Sequence, residues 1–353
     1  MRGLALTILF FFGLLLARAN SPAPQQKPSP QPSPTPPGQL LEIQPAPTKA
    51  GSPSAQSSPT PDPQRQPGEI DDKHPLITNT DVVNLKVTVL DKYGRFVSNL
   101  SKKDFTVFDD DRQQEITYFS DEDAPASIGI VFDATGSMSG GKIGLAISAL
   151  KHFIDSSHPQ DEYFLIDLQS GRAHLLMDRT RDAQAILNKL IFVKTKGNTA
   201  FYDGVYLAAE RVTRGAYPKR AVIVISDGQD NSSRYTFGNL RDALKESDVT
   251  IYSIGIEEAD YGPLVAGGSN TLDQISNLTG GKAFYPHGGF EMDDIFEQIA
   301  LDLRHQYSIA FRPSNFAFDG KWHKLTVKIH PPRGMPRLWV RTKAGYFAVA
   351  NPQ

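Results

Sequence analysis

Four short, almost unbroken apolar runs, at residues 127–132, 163–168, 221–225 and 249–254, mark the middle of the chain. Burial on both faces is what strands inside a parallel sheet require, and such strands lose the in-and-out alternation of a half-exposed sheet. Between and after these runs, residues 142–154, 182–190, 202–212, 239–246, 272–278 and 292–303 place apolar side chains three and four positions apart. That is the period of a helix with one buried stripe. Alternating strands and helices predict an α/β unit over residues 125–305, built on a doubly wound, mostly parallel sheet. Residues 170–177, which include Gly171, predict an added antiparallel edge strand.

The flanks carry a different pattern. Residues 85–90, 105–108 and 115–119 alternate apolar and polar positions, as do 306–311, 323–329, 338–340 and 346–349. Neither the first set, within 79–124, nor the second, within 306–350, has enough strands to stand alone, so the two are expected to pair as one β-sandwich split by the α/β unit. Asp109-Asp110-Asp111-Arg112 could suggest a calcium loop, but its setting between two strands reads as a solvated hairpin turn. Trp322, Trp339 and Tyr346 read as packing residues of the sandwich.

The start of the chain reads as an address. Met1-Arg2, an apolar run over 4–16 and the small residues of Ala17-Arg18-Ala19 predict a signal peptide over 1–19. The run is too short for a retained transmembrane segment. The expected location is therefore outside the cytoplasm: periplasmic, in the cell envelope or extracellular. Residues 20–78 follow as a Pro/Ser-rich linker, in which residues 21–68 hold fifteen of the chain's 26 prolines, too many lost N–H donors for a packed core.

Composition narrows the chemistry. With 37 basic and 39 acidic side chains in 353 residues, no global positive field points to nucleic acid. The absence of cysteine rules out disulfides, thiolate metal sites and a cysteine nucleophile, leaving oxygen and nitrogen ligands. At the end of the first buried run stands Asp133-Ala134-Thr135-Gly136-Ser137-Met138-Ser139, a carboxylate and two hydroxyls on alternate residues entering a glycine-containing loop before a helix. Such oxygens suit a hard divalent cation, although an Asx turn or helix cap has the same composition. Two further pieces fall at the same end of the sheet: Thr199, in a loop ahead of a helix, and Asp227, just past the third buried run.

On these residues the α/β unit resembles a von Willebrand factor type A domain, and the whole arrangement resembles bacterial exported proteins that carry type A-related domains. The metal-ion-dependent adhesion site of that family, Asp-x-Ser-x-Ser with a distant Thr and a distant Asp, maps onto Asp133, Thr135, Ser137, Thr199 and Asp227, with Thr135 in place of the first serine. The resemblance implies one divalent ion, Mg²⁺ or else Mn²⁺ or Ca²⁺. Thr135, Ser137 and Thr199 would ligate it directly, while Asp133 and Asp227 act through water. The implied function is non-enzymatic protein binding, in which the ion takes an Asp or Glu of a partner protein.

Three other readings compete. The ion could be purely structural, in a scaffold of the cell envelope. Gly136-Ser137-Met138-Ser139-Gly140-Gly141-Lys142 fits a P-loop spacing, but Ile143 stands where a nucleotidase needs Ser or Thr. Metal-assisted hydrolysis would need a base, and His152, His158 and His174 fit no ligand or base spacing. Ser137 and Ser139 lack the flanking glycines of a hydrolase nucleophile elbow.

Overall fold

The computed structural model describes residues 82–139, 141–256, 266–287, 289–314 and 320–348. The expected signal peptide and linker, 1–19 and 20–78, lie outside these residues.

The central six-stranded sheet is built from β5 (Ala126–Asp133), β6 (Glu162–Gln169), β7 (Arg172–Thr180), β8 (Lys219–Ser226), β9 (Thr250–Gly255) and β10 (Lys282–Phe284). Its spatial order is β10-β9-β8-β5-β6-β7. All neighbours are parallel except the edge pair β6 and β7. The predicted mostly parallel sheet with one antiparallel edge is thus the fold, and every residue of β5 and of β9 is buried.

Helices cover both faces. On one face α1 (Lys142–Ser156), α2 (Ala183–Leu190) and α6 (Gly289–Arg304) pack Leu150, Phe153, Ile186, Phe296 and Ile299 against Ile128, Ile130 and Phe132. On the other, α3 (Phe201–Val212), α4 (Phe237–Glu246) and α5 (Ala266–Thr279) bring Phe201, Val205, Leu240 and Leu272 onto Val131, Phe164, Val222 and Val224. Strand order runs outward from β5 in both directions, so a crevice opens at the carboxyl ends of β5 and β8, where doubly wound sheets place their sites.

Eight further strands form two four-stranded sheets, ordered β13-β1-β11-β4 and β14-β12-β2-β3. They are β1 (Val83–Leu90), β2 (Phe105–Asp109), β3 (Arg112–Gln114), β4 (Ile116–Ser120), β11 (Tyr307–Phe311), β12 (Trp322–Ile329), β13 (Trp339–Arg341) and β14 (Gly345–Phe347). Each sheet combines strands from before and after the α/β unit. Leu85, Val87, Phe105, Val107, Tyr307, Phe311 and Leu325 share one core between them. β4 and β11 are antiparallel neighbours with Ser120 opposite Ser308, so the chain leaves the sandwich and returns to it at one spot.

The last helix ties the two parts together. Asp302 of α6, almost fully buried, accepts a hydrogen bond from the Thr88 hydroxyl at 2.6 Å and an ion pair from Arg341. The buried Lys219 ammonium donates to the Leu303 carbonyl at 2.8 Å, near the end where the helix dipole favours a cation. Burial holds that lysine below its usual pKa.

Three local features depart from the sequence reading. The acidic turn occupies only Asp110 and Asp111, both left-handed at φ 45° and 65°, and Arg112 already begins β3. A two-residue hairpin loop needs that backbone at both central positions, which Asp tolerates better than most residues. β10 is three residues long, too short to leave a periodic signal. α5 begins six residues before its first patterned leucine, because its opening turns are Gly, Ser and Asn rather than an apolar stripe.

Candidate metal centre at the carboxyl edge of the sheet

β5 delivers Asp133 into the crevice, where its carboxylate is wholly buried. One oxygen, Oδ1, accepts from the Thr135 backbone N–H at 3.0 Å and from the Thr135 hydroxyl at 2.6 Å. The other, Oδ2, accepts from the Ser226 hydroxyl at 2.6 Å. Ser226 ends β8 and in turn accepts from the Gly228 N–H at 3.0 Å. Burial pushes the Asp133 carboxyl up to about 6, the hydrogen bonds from Ser226 and Thr135 oppose that shift, and the charge of Asp227 adds to it.

The hydroxyls gather beside it. Thr199 Oγ1 lies 3.0 Å from Thr135 Oγ1, and Thr135 Oγ1 lies 3.2 Å from Ser137 Oγ. Thr135 and Thr199 are buried, Ser137 is exposed and Asp227 is half-buried, so the group opens to solvent on one side. Hydrogen bonds therefore bring Asp133, Thr135, Ser137 and Thr199 together. Asp227 joins through its position next to Ser226 and through its electrostatic effect on Asp133, while its Oδ1 accepts from the Gln229 N–H at 3.0 Å.

Loop backbone holds these groups in place. Residues 136–138 form a single 3₁₀ turn, with the Lys142 ammonium on the Ser137 carbonyl at 2.9 Å. The segment before Thr199 is laced to the same loop, with Lys196 N–H on the Ala134 carbonyl at 2.9 Å and Gly136 N–H on the Gly197 carbonyl at 3.4 Å. Thr199 itself is clamped by Asn231: its N–H donates to Asn231 Oδ1 at 2.9 Å, and its carbonyl accepts from the Asn231 and Ser232 N–H groups at 3.1 Å each. Gly228 has φ 74°, and a Cβ there would lie 2.5 Å from the Gly268 carbonyl oxygen of α5. A side chain at either glycine would push α5 away from Asp227.

Ser226 and Asn231 are the site residues that the spacing argument missed. A serine ending a buried strand and an Asn in a polar loop look like ordinary strand-end and turn chemistry. The folded chain shows what they touch: Ser226 grips Asp133 and Asn231 clamps Thr199.

The donor set fits a hard dication. It is all oxygen, three of its members are neutral hydroxyls, and the two Asp133 oxygens are engaged by Thr135 and Ser226 rather than turned outward. A P-loop is a poorer fit, since Ile143 packs against the core where a nucleotide site needs a hydroxyl.

Residues 128–229 match the von Willebrand factor type A domain family. With the sheet order and flanking helices described above, this makes the α/β unit a type A fold, one used mostly by non-enzymatic protein-interaction modules, many of which bind a divalent metal. Among solved structures, BatB, a conserved hypothetical protein from Bacteroides thetaiotaomicron, is 16% identical over 50% of this chain and 98% of its own, with a TM-score of 0.41. The vWF domain of the type V pili tip protein Mfa5 from Porphyromonas gingivalis is 14% identical over 51% and 96%, with a TM-score of 0.42. A von Willebrand factor type A protein from Catenulispora acidiphila is 13% identical over 76% and 74%, also at 0.42. No curated protein matches the chain.

Proposed function

We propose that this chain is an exported, non-enzymatic binding module that captures an acidic residue of a partner protein on one divalent cation, Mg²⁺ or else Mn²⁺ or Ca²⁺. Thr135, Ser137 and Thr199 would hold the ion, and Asp133 and Asp227 would anchor the hydroxyls and ordered water. When bound, the ion supplies an electrophilic position for a carboxylate. Export is supported by the signal-like pattern of residues 1–19, and the Pro/Ser-rich stretch of 20–78 would serve as a spacer.

The observation that carries the reading is the convergence of three hydroxyls beside one buried carboxylate, at an edge of the sheet that opens to solvent. Neutral oxygens gathered this way suit a hard dication that keeps an exchangeable position. The loop that leads to Thr199 suits an acidic partner. Lys196, whose N–H bonds the Ala134 carbonyl of the site loop, is exposed, as are Lys194 and, earlier in the same loop, Phe192 at 82%. A carboxylate flanked by apolar and further acidic residues would meet complementary groups there.

Calorimetric titration of Mg²⁺ and Mn²⁺ into wild type and Asp227→Ala, followed by a pool of acidic peptides, tests this. Wild type should bind one ion and capture acidic peptides only with metal present, and Asp227→Ala should do neither while keeping its fold. Phe192→Ala should weaken peptide capture and leave ion affinity unchanged. Peptide capture that survives chelation would overturn the proposal, and ion binding without any capture would favour a structural metal in a scaffold.

A further inference from the structure

The acidic hairpin turn of the sandwich faces a histidine from the neighbouring strand. β12 runs antiparallel to β2, with Leu325 opposite Asp109, and this register sets His323 against the turn. His323 Nδ1 lies 3.3 Å from Asp109 Oδ1 and 3.0 Å from Asp110 Oδ2. One ligand-type atom from each of the three residues falls within 4.8 Å of the others.

Each group is fixed through a part it does not turn toward the other two. Asp109 Oδ2 accepts from the Tyr346 hydroxyl at 2.9 Å, and Asp110 Oδ1 accepts from the Lys324 N–H at 2.8 Å. The His323 ring stacks on Tyr346, with centroids 5.3 Å apart and planes 26° from parallel. The remaining Asp109 oxygen, Oδ1, is buried and has no hydrogen-bond partner among the described residues, on a side chain only 7% exposed. A buried carboxylate oxygen with no donor is costly unless a cation completes it. Asp110, 52% exposed, leaves the cluster open to water on one side.

We propose that Asp109, Asp110 and His323 form a second metal site, for a transition-metal dication of the Zn²⁺ type. One imidazole nitrogen and two carboxylate oxygens suit Zn²⁺, Co²⁺ or Ni²⁺ better than Mg²⁺, which takes oxygen. Ligand atoms on a tetrahedral Zn²⁺, with bonds of about 2.0 Å, lie roughly 3.3 Å apart, close to the separations above. Water fills the fourth position, on the open side. Two carboxylates and a neutral imidazole balance the charge of the ion. Tyr346 and Lys324 then act as the outer partners that orient ligands. The alternative is an imidazolium held between two acids with no metal.

The two are separated by titrating Zn²⁺ into the untagged full-length chain in excess Mg²⁺, with Co²⁺ absorption as a second readout. Wild type should bind one Zn²⁺ and give a tetrahedral Co²⁺ spectrum. His323→Gln and Asp110→Asn should each weaken binding about 10–100-fold or more, as loss of a ligand does at least as much harm as loss of its support. Asn suits the left-handed turn position as well as Asp, so Asp110→Asn should fold even if His323→Gln does not. Asp227→Ala should leave Zn²⁺ binding intact, which separates this site from the one at the sheet edge. No binding by folded wild type, or binding unchanged in Asp110→Asn, would overturn the proposal in favour of the ion cluster.

Discussion

Asp133 shows how a single buried side chain at the sheet edge carries a cost to stability. Its carboxyl is buried and its folded pKa is raised to about 6 from an unfolded value of 3.8. Below about pH 3 the group is largely protonated in both states and costs little. As pH rises toward 6 the unfolded chain releases its proton first, so stability falls across that window and then levels off. By pH 7 the ionised group costs roughly 3 kcal/mol. Asp133→Asn should therefore stabilise the metal-free chain by about 1–2 kcal/mol at pH 7, the gain being reduced by the weaker bond to Ser226. Urea denaturation of both proteins should show the difference nearly absent near pH 3 and fully open just above pH 6, while Mg²⁺ titration should show the variant no longer binds. Asp133, Thr135, Ser137, Thr199 and Asp227 could be named from spacing because each sits where a buried run or loop meets a helix. Ser226 and Asn231 could not, since nothing local distinguishes a strand-end serine that grips a carboxylate from one that does not. His323 was equally hidden, because its partners lie more than two hundred positions earlier in the chain.

Among the elements, α6 joins the α/β unit to the sandwich through one side chain. Its Asp302 meets Thr88 of β1 and Arg341 of β13, so three elements distant in sequence depend on one buried carboxylate. Asp302→Ala would leave Arg341, 19% exposed, without its counter-charge. We expect a loss of about 3–5 kcal/mol, measured by chemical denaturation, and recovery of much of it in the double variant Asp302→Ala with Arg341→Met. What could be read of the elements follows from how they are buried. Long strands enclosed on both faces and helices with an apolar stripe left clear patterns, so β5, β6, β8, β9 and α1 were legible nearly to the residue. β3 and β10 were not: Arg112–Gln114 has no apolar position, and Lys282–Phe284 has one large apolar side chain. The early turns of α5 escaped for a different reason: Gly268 is there for its lack of a side chain against Asp227, and close backbone contact leaves no hydrophobic period.

For the molecule as a whole, the decisive feature is that β4 and β11 lie side by side, with Ser120 opposite Ser308. The α/β unit occupies the place of a hairpin turn. Replacing residues 121–306 by a short glycine-containing loop that keeps Ser120 opposite Ser308 should yield a sandwich that folds by itself, less stable for want of its contacts with the α/β unit, with circular dichroism reporting strand and almost no helix. Failure of that chain to fold would show that the sandwich depends on the α/β unit. The same layout also decides how the molecule bears force. β1 and β11 are antiparallel, with Val83 opposite Phe311 and Val87 opposite Tyr307. A load applied between the α/β unit and the chain entering Val83 would draw β11 from its Tyr307 end and β1 from the opposite end. The two strands would then be pulled past each other, and all five residue pairs of their register would resist together instead of opening one at a time.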